Sequence, residues 1–187
     1  MREYLGEYAA APYRGPLDEV DPEPPILLAA LRERMVDLAG SQTAGAFPYL
    51  VTPERVRWMR ARLDAAAGGA RPALAVTLPV VLETDASAAR AIARAYLASY
   101  LLTPNYHARW TEQGFVEADR EKPGSDRLVD AMVAWGEVQD LVARVAEMHD
   151  AGADHVALIP VTPEGRSEQL STIETLARPL GVAPRTR

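Results

Sequence analysis

The chain of 187 residues has no cysteine. A disulfide framework, a thiolate nucleophile and a cysteine-ligated metal are therefore excluded. Positive charge is also in deficit: the net charge is −6, which argues against the basic face that nucleic acid requires. No run reaches the roughly 18 consecutive apolar residues of a membrane span. The opening Met1-Arg2-Glu3-Tyr4 lacks the apolar core of a signal peptide. The expectation is a cytoplasmic protein with neither membrane nor nucleic acid as partner.

Motifs that carry chemistry are scarce. The three histidines, His107, His149 and His155, show no metal-ligand spacing, so no metal site is expected and structural roles are. His149 suits the negative end of a helix dipole. The glycines fit neither a dinucleotide fingerprint nor a P-loop. Glu117-Asp119 and Asp18-Asp21 lie in polar loops and read as solvated surface. Arg55, Arg57, Arg60 and Arg62 spread around one helix and read as a solvent face, paired with acids from a neighbouring element.

What is present is alternation. Charged residues are 25% and hydrophobic ones 48%, so a single domain over 1–187 can build a core. The tail 181–187 is expected to be loose. Short apolar runs at 26–30, 45–51, 73–82 and 155–161 read as buried strands, separated by capped amphipathic helices. Thr52 caps a helix with Pro53 at its first position and Val56, Met59 and Leu63 on its apolar stripe. Gly40 reads as the end of the helix from Arg32 to Leu38. Asp85 caps a long helix over 86–102, with Tyr96 and Tyr100 among its periodic positions, and Ser125 caps one over 126–135. Further helices are expected at 138–149 and 167–180, and the five prolines between Ala11 and Pro25 make that stretch a loop. Four strands in this order make an α/β fold, half of a TIM-type (β/α)₈ barrel with outer helices; a whole barrel needs about 250 residues.

Barrel sites form at the C-terminal ends of strands. Those ends are Ala29-Ala30-Leu31, Pro48-Tyr49, Thr77-Leu78-Pro79 and Ile159-Pro160. Small residues at Ala29, Ala30 and Leu31 would let a flat ring approach the backbone. Tyr49, Thr77, Pro79, Ile159 and Pro160 are the candidate substrate pocket. Ala29, Ala30, Tyr49, Thr77 and Pro160 are expected to line a common cleft. Leu28, Val76, Val80 and Leu158 are expected on the inner face of the half-barrel. Thr162 and Arg166, ahead of the last helix, could receive phosphate at a helix N-terminus.

The stretches Ser125–Gly136 and Ala151–Val161, with Pro25–Leu31 and Phe47–Glu54, resemble the C-terminal half of the luciferase-like, flavin- or deazaflavin-dependent oxidoreductases. The resemblance implies FMN or coenzyme F420 at the strand ends. It also implies hydride transfer with, or monooxygenation of, a small organic substrate. In that family most cofactor contacts come from the first four strands, and relatives more often carry polar side chains near Phe47, Thr77 and Ile159, so no catalytic residue is carried over. Two readings follow. One is an oxidoreductase component completed by a complementary half-barrel chain. The other is a non-catalytic remnant or binding protein that homodimerises through its open half-barrel.

Overall fold

Strand β3 (Ala73–Leu82) is the axis around which the other elements are ordered. The computed structural model describes residues 1–11, 25–163 and 166–182. β1 (Leu27–Leu28) pairs with β2 (Gly45–Ala46), and β2 with the start of β3. β5 (His155–Pro160) runs along β3 from Ala75 to Val80, and β4 (Ala134–Gly136) takes its last three residues, Val80 to Leu82. All of these pairings are parallel. Val80 is in register with both Ala134 and Pro160, so β4 and β5 flank β3 from opposite sides.

β4 corrects the sequence reading, which continued a helix to Trp135. Helix α7 (Asp126–Met132) stops at Met132, and Val133 is already extended. The β2 side of β3 is paired only as far as the Tyr49–Thr77 bridge, and the β3 backbone groups beyond it need a partner. That tertiary demand outweighs the helical pattern. β1 is shorter than the expected 26–30 because Ala30 N–H turns back to Leu28 O at 2.7 Å. β2 pairs only at Gly45–Ala46 and resumes as a single bridge between Tyr49 and Thr77.

Alternation along β3 sends Leu74, Val76, Leu78 and Val80 to one face. There they meet α2 (Glu33–Gln42), α3 (Pro53–Ala66) and α8 (Val138–Asp150) through Val36, Val56, Met59, Leu63, Leu141 and Met148, all essentially unexposed. Each such side chain contributes roughly 1.5–3 kcal/mol by leaving water. Leu28 and Leu158 join the same core. The four residues expected on the inner face therefore lie on the helix side, because register with Val76 and Val80 fixes their parity. The true inner face carries Ala75, Thr77, Pro79 and Val81 with His155, Ala157 and Ile159.

α2 runs through Gly40 rather than ending there. A Cβ at Gly40 would stand 2.7 Å from Leu63 O, so the glycine is a packing contact with α3. The arginines of α3 are not a plain solvent face either. Arg60 is buried and donates to Pro72 O (2.9 Å) and Asp154 (3.2 Å), while Arg62 pairs with Glu33 and Asp37 and Arg55 with Glu112.

A second core caps the upper end. α4 (Ala86–Leu97) breaks before the expected Leu102 and passes through a 3-10 turn (Tyr100–Leu102) into α5 (Pro104–Glu112). Ala93, Leu97, Trp110, Leu128, Val129 and Met132 pack with Leu50 and Val81. α6 (Glu117–Arg120) is pinned by Asp119, which accepts from Val116 N–H (3.0 Å), Ser125 Oγ (2.7 Å) and Arg127 (2.6 Å). α1 (Arg2–Ala10) and α9 (Arg166–Ala177) complete the described elements. The expected caps form: Thr52, Asp85 and Ser125 side chains accept from Arg55, Ala88 and Leu128 N–H. His107 and His149 bond to Leu101 O and Ala153 O. Most of the expected proline loop (12–24) and of the expected tail (183–187) lies outside the described residues. No helix among the described residues is long and apolar enough to cross a membrane.

Candidate functional site

At the C-terminal ends of the strands, Tyr49 and Thr77 are bridge partners and so share a face. Pro79 and Ile159 are register partners two residues further up β3, on that same inner face. Pro160 is not with them: it pairs with Val80 on the helix side, and its carbonyl accepts from Gln169. The expected cleft therefore loses Pro160 by parity. Ala30 is buried in the helix-side core, Ala29 is exposed and Leu31 is half-buried. Leu31 O accepts from Arg55 at 2.7 Å. Thr162 is half-buried, whereas the side chain of Arg166 lies outside the described residues.

The sequence reading did not assemble the feature that dominates this end. Tyr49 Oη hydrogen-bonds Tyr96 Oη. The ring of Tyr100 meets Tyr49 edge-on at 5.5 Å and Tyr96 at 5.9 Å. Tyr106 continues the contact at 5.1 Å, and Trp110 follows at 5.7 Å. Tyr96 and Tyr100, four residues apart around the end of α4, were legible as a stripe, but not that Tyr49 of another element meets them. Burial pushes the Tyr49 phenol far up, and its Tyr100 and Tyr96 neighbours push it further. Burial likewise raises Tyr96 and Tyr106. At neutral pH these phenols are hydrogen-bond groups, not bases.

The chain leaving Tyr49 is held under strain. Leu50 sits in the left-handed region at φ 54° while 2% exposed, a conformation that costs about 1–3 kcal/mol and persists only where its surroundings enforce it. The enforcement is visible. Gln113 at the end of α5 accepts from Thr52 N–H at 2.8 Å. Arg55 links Leu31 O to Glu112 (3.1 Å) and stacks over Trp58 at 3.7 Å. α5 thus straps the exits of β1 and β2.

A family model, luciferase-like monooxygenase, matches residues 2–155. The chain belongs to the luciferase-like monooxygenase family. Solved structures agree on the fold. The coenzyme F420-dependent tetrahydromethanopterin reductase of Methanopyrus kandleri superposes with a TM-score of 0.58 at 16% identity, covering 83% of this chain and 50% of that one. An F420-dependent secondary alcohol dehydrogenase in complex with an F420–acetone adduct gives 0.62 at 13%, covering 86% and 50%. Apo-MsnO8 gives 0.59 at 22%, covering 98% and 58%. The chain thus spans about half the length of these luciferase-like relatives. No curated protein matches it.

The family implies F420 or FMN. The inner-face residues offer an apolar wall for a ring. Phosphate is another matter. The described arginines near the strand ends are engaged: Arg55 as above, Arg32 by Asn105 (2.7 Å), and Arg90 by Asp126 (3.0 Å) and Asp130 (2.6 Å). None of these three arginines is left as a free cation for a cofactor's phosphate.

Proposed function

We propose that this chain is the substrate-side half of a luciferase-like oxidoreductase, needing a second polypeptide to complete its site. The reaction would be F420- or FMN-dependent hydride transfer with, or monooxygenation of, a small organic substrate. The observation that carries the reading is the inner face. Thr77, Ala157 and Ile159 are half-buried in mid-sheet, whereas Leu74, Val76, Leu78 and Val80 on the opposite face of β3 are fully buried under helices. In a closed barrel the inner face is a filled core. The engaged arginines support the corollary that the cofactor's phosphate is held by the other half, with Tyr49, Thr77, Pro79 and Ile159 facing the substrate.

The test is an absorbance-monitored titration with F420 and with FMN. This chain alone should bind either weakly or not at all. The same chain mixed with a polypeptide carrying the first four strands of a luciferase-like barrel should bind one of them. Sub-micromolar affinity of the chain alone would overturn the reading. The inner-face strand-end residues Tyr49, Thr77, Pro79 and Ile159 include no charged side chain, which favours a second reading, a non-catalytic binding protein that homodimerises through the same face. Cofactor binding by neither the chain nor the mixture, with a dimer in solution, would select it.

A further inference from the structure

We infer that the polypeptide covering the inner face is a second copy of this chain, with β5 of each copy beside β1 of the other and α9 of each packed on α1 of the other. The inference rests on the reading that another polypeptide completes the sheet, and it names that polypeptide. The lower part of the sheet runs β1, β2, β3, β5, all parallel. Among the described residues β1 pairs only with β2 and β5 only with β3. Unpaired strand edges invite another strand. A two-fold axis along the strands keeps every strand parallel and sets β5 of one copy against β1 of the other, twice. A contact between two different edges generates a closed ring or an open filament. Two copies of these four strands make eight, a number at which a barrel closes around its own side chains. The association therefore stops at the dimer.

Exposed apolar side chains lie where this closure would bury them. Leu28 and Ala46 face the helix-side core, so alternation puts Leu27 and Phe47 on the inner face. Both are exposed, on the face that also carries Thr77, Ala157 and Ile159. None of these is charged, so an identical face can lie against them without like-charge repulsion. On α1, Tyr4 and Tyr8 are 59% and 53% exposed, with their rings 6.4 Å apart. On α9, Leu170 and Ile173 are 51% and 48% exposed, while Thr172 and Leu176 are buried against the fold. Barrel helices form an outer ring, so the helix after β5 and the helix before the other copy's β1 become neighbours in it. Each brings one apolar stripe to the joint. Area separates this arrangement from simple stacking of faces. Four strands about 4.8 Å apart and about five residues long present roughly 300 Å². A standard interface takes about 800 Å² from each partner. Stacked inner faces fall short of that, and the two joints supply the rest.

The absence of cysteine makes the joint testable by cross-linking. A double variant, Tyr8→Cys with Ile173→Cys, treated with a short bismaleimide should run as a covalent dimer on a denaturing gel. Either single variant should run as a monomer. Independently, Leu170→Glu with Ile173→Glu changes only exposed positions, so circular dichroism should be unaltered. Its dimer dissociation constant in sedimentation equilibrium should rise about tenfold or more, because burying an unpaired charge at an interface costs at least that. No cross-link in the double variant, or equal cross-linking by a single one, would overturn the inference. A glutamate variant that dimerises as tightly as the unmodified chain would do the same, and would leave the inner face covered in some other way. An unmodified chain that stays monomeric at tens of micromolar would overturn the inference together with the homodimer reading beneath it. Neither measurement uses a cofactor, so both can fail while the F420 and FMN titration succeeds, and the reverse.

Discussion

The two ends of β3 are built on opposite principles. At its N-terminal end everything is charged and paired. Asp154 and Leu74 exchange hydrogen bonds, Asp154 N–H to Leu74 O and Leu74 N–H to Asp154 Oδ2, both at 2.8 Å. Arg60 (3.2 Å) and Arg71 (2.9 Å) close on the same carboxylate. At the C-terminal end the cluster beside Thr77 is phenolic, and the neighbouring backbone at Leu50 is strained. One end locks β5 to β3 and α3; the other gathers uncharged phenols beside the half-buried inner face at Thr77. Barrels divide labour this way, with stability at the bottom and chemistry at the top.

Breaking the lower end should have the largest effect. Asp154→Ala leaves the Leu74 N–H unbonded and removes the bonds from Arg60 and Arg71, while Arg60 keeps Asp64 and Pro72 O. We expect a loss of about 3 kcal/mol in urea denaturation, from an unsatisfied backbone donor and the lost charge-assisted hydrogen bonds. Gly152→Ala should follow, at about 2 kcal/mol. Gly152 sits at φ 107°, and a Cβ there would lie 2.7 Å from Arg60 Cγ, prising the arginine from its carboxylate.

Acid should act at the same place. Burial opposes ionisation of Asp154, but Leu74 N–H, Arg71 and Arg60 outweigh it and hold the carboxyl below its usual range. A carboxyl lowered on folding stabilises fully above its unfolded pKa, about 3.9. The contribution disappears as pH falls through the lower folded value. Melting temperature should therefore drop more steeply below that region in the wild type than in Asp154→Ala. Parallel curves would remove Asp154 from the account.

The smallest effect should come from the upper end. Tyr49→Phe keeps the ring contacts and deletes one hydroxyl, so stability should change by about 1 kcal/mol or less. A loss as large as that of Asp154→Ala would show that the phenols are structural and erase the contrast between the two ends.

The outer, helix-facing half of the architecture was largely legible in the sequence. Val56, Met59 and Leu63 repeat at helical spacing, Thr52-Pro53 marks a helix start, and the ten-residue apolar run at 73–82 is β3 with those limits. What was not legible depended on partners distant in sequence. β4 is three residues long and extends β3 beyond the point where its pairing with the β2 side ends at Tyr49–Thr77. The parity of Val76, Val80 and Pro160 followed from register, which an apolar run on both faces does not encode. Tyr49 was read with Thr77 as a pocket residue, since nothing local announces that it meets Tyr96, 47 residues away. Arg60 looked like one of four solvated arginines until β5 brought Asp154 beside it.

The central claim is that the inner face carrying Thr77, Ala157 and Ile159 is covered by another polypeptide. Light scattering of the purified chain at low micromolar concentration, followed through thermal unfolding, tests it most directly. The account predicts a dimer or a larger complex whose melting temperature rises with protein concentration. A monomer with a cooperative, concentration-independent melt would contradict it, since the chain would then need no partner to close its core.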